Sequence, residues 1–97
     1  MVRYVVLMKL TEQGIKDIKN APKRIEASTK ALEALGGKVI DFYAVQGKYD
    51  YVVIDEFPND EVAMAFILRL GSAGNVRTTT LKAFTKGQFA AMVKELP

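Results

Sequence analysis

The chain half-repeats itself. Tyr4-Val5-Val6-Leu7 recurs as Tyr51-Val52-Val53-Ile54, and Leu35-Gly36-Gly37-Lys38-Val39 is echoed by Leu70-Gly71-Ser72-Ala73-Gly74-Asn75-Val76. In each copy a β-branched run leads into a helix-like stretch, stops at glycine and passes into a second β-branched run. Two strand–helix–strand units with right-handed crossovers interleave into the split βαβ, ferredoxin-like sheet, an α+β fold. In that sheet strands one and three are central, and strands two and four are edges. The 97 residues are read as one domain spanning the whole chain.

The local signals agree with this order. VRYVVLMKL, residues 2–10, is strand one. Thr11 is placed to cap a helix, with Leu10 and Ile15 as a staple across its first turn. Pro22 cannot donate a backbone bond in mid-helix but suits a fresh first turn, so the helix is expected to break near Asn20-Ala21-Pro22 and to stop at Gly36-Gly37. KVIDFYAV and YDYVVIDEF are strands two and three, joined by a tight turn around Gly47. Asn59 or Asp60 opens the next helix, and VAMAFILRL, apolar nearly all round, predicts packing on more than one side. GSAGN, which follows a helix rather than preceding one, reads as a helix end and not as a phosphate cradle. VRTTTLKAF is strand four. Thr85 and Gln88 then form a capping box, with Phe84 and Phe89 as a staple, for an extra C-terminal helix.

Helices that cover one sheet face leave the other to solvent, so a monomer should alternate apolar and polar residues along its strands. The central strands do not. Val5, Leu7, Val52 and Ile54 form one apolar face, while Tyr4, Val6, Met8, Tyr51 and Val53 form another. A second copy is the simplest cover, and matching Tyr51 to Tyr4 in the half-repeat assigns Tyr4, Val6, Met8, Tyr51 and Val53 to a homodimer interface. Asp50 then points towards the helices.

Composition removes whole classes of chemistry. There is no Cys, no His and no Trp, so thiolate nucleophiles, imidazole bases and the usual soft metal ligands are absent. No metal site or cofactor is expected and no catalytic residue is assigned. The net charge is only +3, and Lys16, Lys23 and Lys30 recur at heptad spacing on one solvated helix stripe opposite Ile15, Ile18, Ile25, Thr29 and Leu32. No apolar run is long enough to span a bilayer, and VVLM is too short for a secretory core; a cytoplasmic protein is expected.

Gly47-Lys48-Tyr49-Asp50 matches the G-x-Y-D signature of the GYD-domain family, and GIKDIKNAPKRIEASTKALEALGGKV and LGSAGNVRTTTLKAFT extend the resemblance over nearly the whole chain. That resemblance implies a dimeric α/β barrel in which two ferredoxin-like sheets close face to face; it implies no activity. A looser resemblance links AVQGKYDYVVIDEF and GNVRTTTLKAF to the effector-binding module of leucine-responsive transcription regulators, which bind amino acids at subunit contacts near the corresponding turn. No helix-turn-helix accompanies it here.

Two readings of the turn stay open. Asp50 accepts backbone N–H groups of its own turn or of the Gly36-Gly37 loop, or else it binds a small metabolite together with Tyr4, Tyr49, Tyr51 and Arg77. Arg77 would pair with Asp50, hold a carboxylate bidentately or stay solvated. The leading expectation is a homodimeric barrel module, open to higher assembly and to a small-molecule ligand. The alternative is a cofactor-free enzyme of the oxygenase or isomerase kind, for which the residues show no constellation. An RNA-binding sheet is the weakest fit: Tyr49, Tyr51 and Val52 suit the aromatic signature, but Asp50 stands where a small residue belongs and Gly47-Lys48 is in reversed order.

Overall fold

A computed structural model describes residues 1–97. The elements run β1 (Val2–Leu10), α1 (Glu12–Lys16), a 3-10 turn (Ile18–Asn20), α2 (Ala21–Ala34), β2 (Lys38–Ala44), β3 (Tyr51–Phe57), α3 (Asp60–Ala73), β4 (Val76–Ala83) and α4 (Lys86–Lys94). The four strands form one antiparallel sheet in the order β2-β3-β1-β4. This is the α+β, ferredoxin-like order that the half-repeat requires, with β1 and β3 at the centre.

The helix boundaries follow their local chemistry. Thr11 accepts the Gly14 N–H at 3.1 Å to start α1, and Pro22 lies in the first turn of α2. At the other end of α2 the Gly36 and Gly37 N–H groups return to the Glu33 and Leu32 carbonyls, each at 2.9 Å. That reversal needs a left-handed residue, which Gly36 supplies at φ 85°. Asn59 accepts the Val62 N–H at 2.9 Å to open α3, and Gly74 closes it within GSAGN.

Two boundaries differ from expectation. β3 begins at Tyr51 rather than Tyr49, and residues 45–50 form a loop rather than a tight turn, closed by the Val45 N–H on the Asp50 carbonyl at 2.9 Å. β2 carries an irregularity at Ile40, between the paired residues Val39 and Asp41. The extra residue locally breaks the ladder at this sheet edge.

The register settles which sheet face lies inside. Val6 stands opposite Val53, Met8 opposite Tyr51 and Val2 opposite Phe57. Val6, Met8, Tyr51 and Val53 are buried together, with Ile25 of α2 and Ile67 and Leu70 of α3 packed on them. Phe57 joins Leu32, Ala63 and Phe66 in the adjoining half of the core. Tyr4, Val6, Met8, Tyr51 and Val53 therefore lie beneath the helices, and the assignment of these five residues to a dimer interface is corrected. The physical reason is volume and charge. This face carries the large side chains Tyr4, Met8, Tyr51 and Phe57, whereas the opposite face carries Arg3, Lys9 and Glu56, whose charges favour water.

The helix layer is thinner than the sequence pattern suggests. Ile15 and Ile18 are exposed, as are Met64 and Leu68 on the outer side of α3, so α3 is covered on one side only within a single chain. Only 11 of 97 residues are buried, which leaves the isolated chain with a small core. The radius of gyration is 14.7 Å, against about 12.5 Å for a compact domain of this length. The excess arises where α4 leaves the body: every residue from Phe84 to Pro97 is exposed.

Candidate functional site: the helix-free sheet face and its loop

The face opposite the helices is built from alternate residues of all four strands. One row runs Tyr43, Val52, Leu7, Thr79; the next runs Asp41, Ile54, Val5, Leu81. Arg3 and Glu56 close this face at one end with an ion pair at 2.9 Å. Its centre is apolar, and its margins hold Tyr43, which is 58% exposed, and Leu81. No element of the chain covers it.

Asp50 sits where β3 enters the sheet. Its N–H donates to the Met8 carbonyl at 2.8 Å, and its Oδ2 accepts the Leu10 N–H at 2.8 Å. The carboxylate thus extends the β1–β3 ladder by one bond beyond the point where the loop backbone turns away. The donor belongs to β1, neither to the Gly36-Gly37 loop nor to the turn itself. Gly47, at φ 114°, lets the loop fold back, a conformation that a side chain would strain. Tyr49 reaches across β1, its hydroxyl 3.5 Å from Thr79 Oγ1.

The five residues expected to bind a ligand are not gathered into one pocket. The Tyr4 hydroxyl donates to Asp60 Oδ1 at 2.8 Å, and Lys82 Nζ holds the other carboxylate oxygen at 2.8 Å. This exposed trio ties β1 and β4 to the start of α3. The hydrogen bond to Asp60 raises the Tyr4 phenol above its ordinary range. Lys82, and then Tyr4, hold the Asp60 carboxyl below its own. Arg77 donates to the Gly71 and Val76 carbonyls at 3.0 and 3.2 Å near the end of α3, a usual partner for free helix carbonyls. Tyr51 lies in the core against Phe42. Asp50 and Tyr49 alone remain beside the G-x-Y-D loop.

α4 presents a second exposed apolar surface. Its N-terminus is fully capped, with the Gln88 N–H on Thr85 Oγ1 at 3.1 Å and the Thr85 N–H on Gln88 Oε1 at 2.7 Å. Yet Phe84, Phe89, Met92, Val93 and Leu96 are all exposed, Phe89 by 63%. A helix this short is marginal in water without tertiary support. The cap of this helix is legible in Thr85 and Gln88, whereas its isolation is a finding of the structure. The signal was available in its five large apolar residues, for which the ferredoxin-like layer has no place.

Comparison with known proteins places the chain. A sequence profile of the GYD domain matches residues 4–93. The chain belongs to the GYD-domain family. The Gly47–Asp50 loop just described lies within the matched residues. A relative from Thermus thermophilus, named glutamine synthetase and cystathionine beta-lyase binding protein, is 34% identical over 95 residues, covering 97% of this chain and all of the relative. The crystal structure of TTHA0845, also from Thermus thermophilus, is similar to this GYD domain with a TM-score of 0.56 at 26% identity, covering 88% of this chain and 95% of that one. No helix of the GYD domain is long and apolar enough to cross a membrane.

Proposed function

We propose that this GYD domain is a homodimeric binding module whose partners are proteins. The observation that carries the reading is the pairing of an apolar, helix-free sheet face with a capped helix, α4, that finds no packing partner in its own chain. A second copy supplies both needs. Two such faces closing on each other would bury Val5, Leu7, Val52 and Ile54, and each α4 would lie on the opposite protomer. Each side chain of this size contributes about 1.5–3 kcal/mol when fully removed from water, which supplements a small monomer core. The arrangement is the dimeric α/β barrel that the family resemblance implies.

The partner class rests on the relative. That protein is named for binding glutamine synthetase and cystathionine beta-lyase, and its whole length aligns with this chain. A chain without His or Cys and with no convergent polar constellation on its open face is better suited to holding other proteins than to turning over a substrate. The test is direct binding. The purified chain is immobilised and titrated with glutamine synthetase, and separately with cystathionine beta-lyase, from the same organism. Saturable binding of either, competed by free chain, is expected. Absence of binding to both at micromolar concentration would contradict the protein-partner reading.

A further inference from the structure

Behind the sheet, on the face away from the proposed interface, α2 and α3 stand apart and leave a cavity of about 240 Å³ that is partly open to solvent. Its wall is mostly apolar, including Ile25, Leu32, Phe42, Tyr51, Phe66 and Leu70, with Arg24, Ser28, Thr29 and Asn75 as polar members at α2 and beyond the end of α3. One carboxylate interrupts it. Asp55, in the middle of β3, is 1% exposed, and its Oδ1 is buried with no hydrogen-bond partner in the protein. Buried carboxylates are ordinarily paired or multiply hydrogen-bonded, because desolvating the charge is costly.

The surrounding groups do not explain it. Arg24 of α2 lines the cavity, but its guanidinium is engaged elsewhere, with Asp17 Oδ2 at 3.0 Å and the Asp17 and Gly14 carbonyls at 2.8 and 3.2 Å. Tyr4 of β1, directly opposite Asp55, gives its hydroxyl to Asp60. From β2 the facing residue is Val39, and from α3 the wall residues Phe66, Leu70 and Ala73 are apolar. Tyr51 of β3 is the remaining titratable wall residue. No cation of the chain reaches the carboxylate.

We propose that this cavity is a binding site for a small organic amine, its ammonium on Asp55 and its apolar body against the helix-facing core. The volume fits the assignment. An apolar cavity of about 150 Å³ holds benzene, so this one has room for a single ring with a short aminoalkyl chain. The chemistry fits as well, since an ammonium supplies both the charge and the donor that Asp55 Oδ1 lacks. The site is distinct from the proposed protein interface and does not depend on it. Lying between α2, α3 and the reverse of the sheet, it gives a ligand access to the same strands from the other side.

The experiment uses phenylethylamine as probe and phenylethanol as its uncharged counterpart, titrated calorimetrically into the full chain. Burial pushes the Asp55 carboxyl up to about 6, so the empty site is ionised at about pH 8 and mostly neutral at about pH 5. One amine per chain is expected at about pH 8, with affinity about tenfold lower at about pH 5. Phenylethanol should bind at least about tenfold more weakly than the amine. Asp55→Asn keeps the shape and should remove the amine preference. Ser28→Phe keeps the carboxylate but fills the hole, and should abolish binding. Amine and alcohol binding alike in wild type and Asp55→Asn would overturn the proposal. So would retention of amine binding by Ser28→Phe, or no binding by wild type at millimolar amine.

Discussion

Asp50 and Asp55 lie five positions apart and do opposite things with a carboxylate. Asp50 is half-buried and accepts the Leu10 N–H, completing a strand ladder. Removing that acceptor leaves a backbone donor without a partner, which costs about 1–3 kcal/mol, towards the lower end at a partly solvated site. Asp50→Ala is therefore expected to melt below wild type in the absence of any ligand. Asp50→Asn should lose less, since the amide oxygen still accepts. Equal melting temperatures for Asp50→Ala and wild type would contradict a structural role and return the loop to ligand binding.

At Asp55 the sign is reversed. Burial raises its folded pKa from 3.8 to about 6, so the folded protein holds this proton more tightly than the unfolded chain does. Its contribution to stability is fully present below about pH 4 and is lost as pH rises through about 6, a change of roughly 3 kcal/mol. Asp60, held low by Lys82 and Tyr4, works in the other direction. The difference between wild type and Asp55→Asn is therefore the informative quantity. Urea unfolding across this range should show wild type losing stability relative to Asp55→Asn as pH increases, with the variant the more stable above about pH 6. Parallel pH profiles would contradict the account.

At the scale of elements, much was legible because each signal was chemically local. Glycines and caps marked helix ends, β-branched runs marked strands, and the half-repeat of Tyr4–Leu7 with Tyr51–Ile54 gave the sheet order. The inner face of the sheet carries no such local signal. Alternation divides Val5 from Val6 and Val53 from Ile54, but both sets are apolar, so periodicity alone could not say which set meets the helices. The deciding information lay at the strand ends, where Arg3, Lys9 and Glu56 mark the solvent side and Phe57 marks the core. The candidate site suffered from the same limit. Tyr4, Arg77 and Asp50 are close in the sheet order, but Tyr4 and Arg77 are drawn to opposite ends of α3 by Asp60 and the Gly71 carbonyl. Neither contact has a signature in spacing. The unpaired Asp55 has none either, since a charged residue within an apolar strand reads equally well as an edge or as a site.

The whole molecule is a sheet with one finished side. Helices close the face bearing Val6 and Val53, whereas the face bearing Val5 and Ile54, like α4, is left uncovered by the chain. The measurement that separates these two faces most directly is a comparison of lysine substitutions at adjacent positions of β3, read by circular dichroism and by light scattering during size exclusion. Wild type is expected at about twice the chain mass of 10.7 kDa. Ile54→Lys should stay folded and elute as a monomer, because it places a charge in the proposed interface alone. Val53→Lys should lose the fold, because an unpaired buried charge costs several kcal/mol, a large fraction of the 5–15 kcal/mol typical of a small domain. A dimer that survives Ile54→Lys while Val53→Lys yields a folded monomer would mean that the opposite face joins the copies, and would contradict the account.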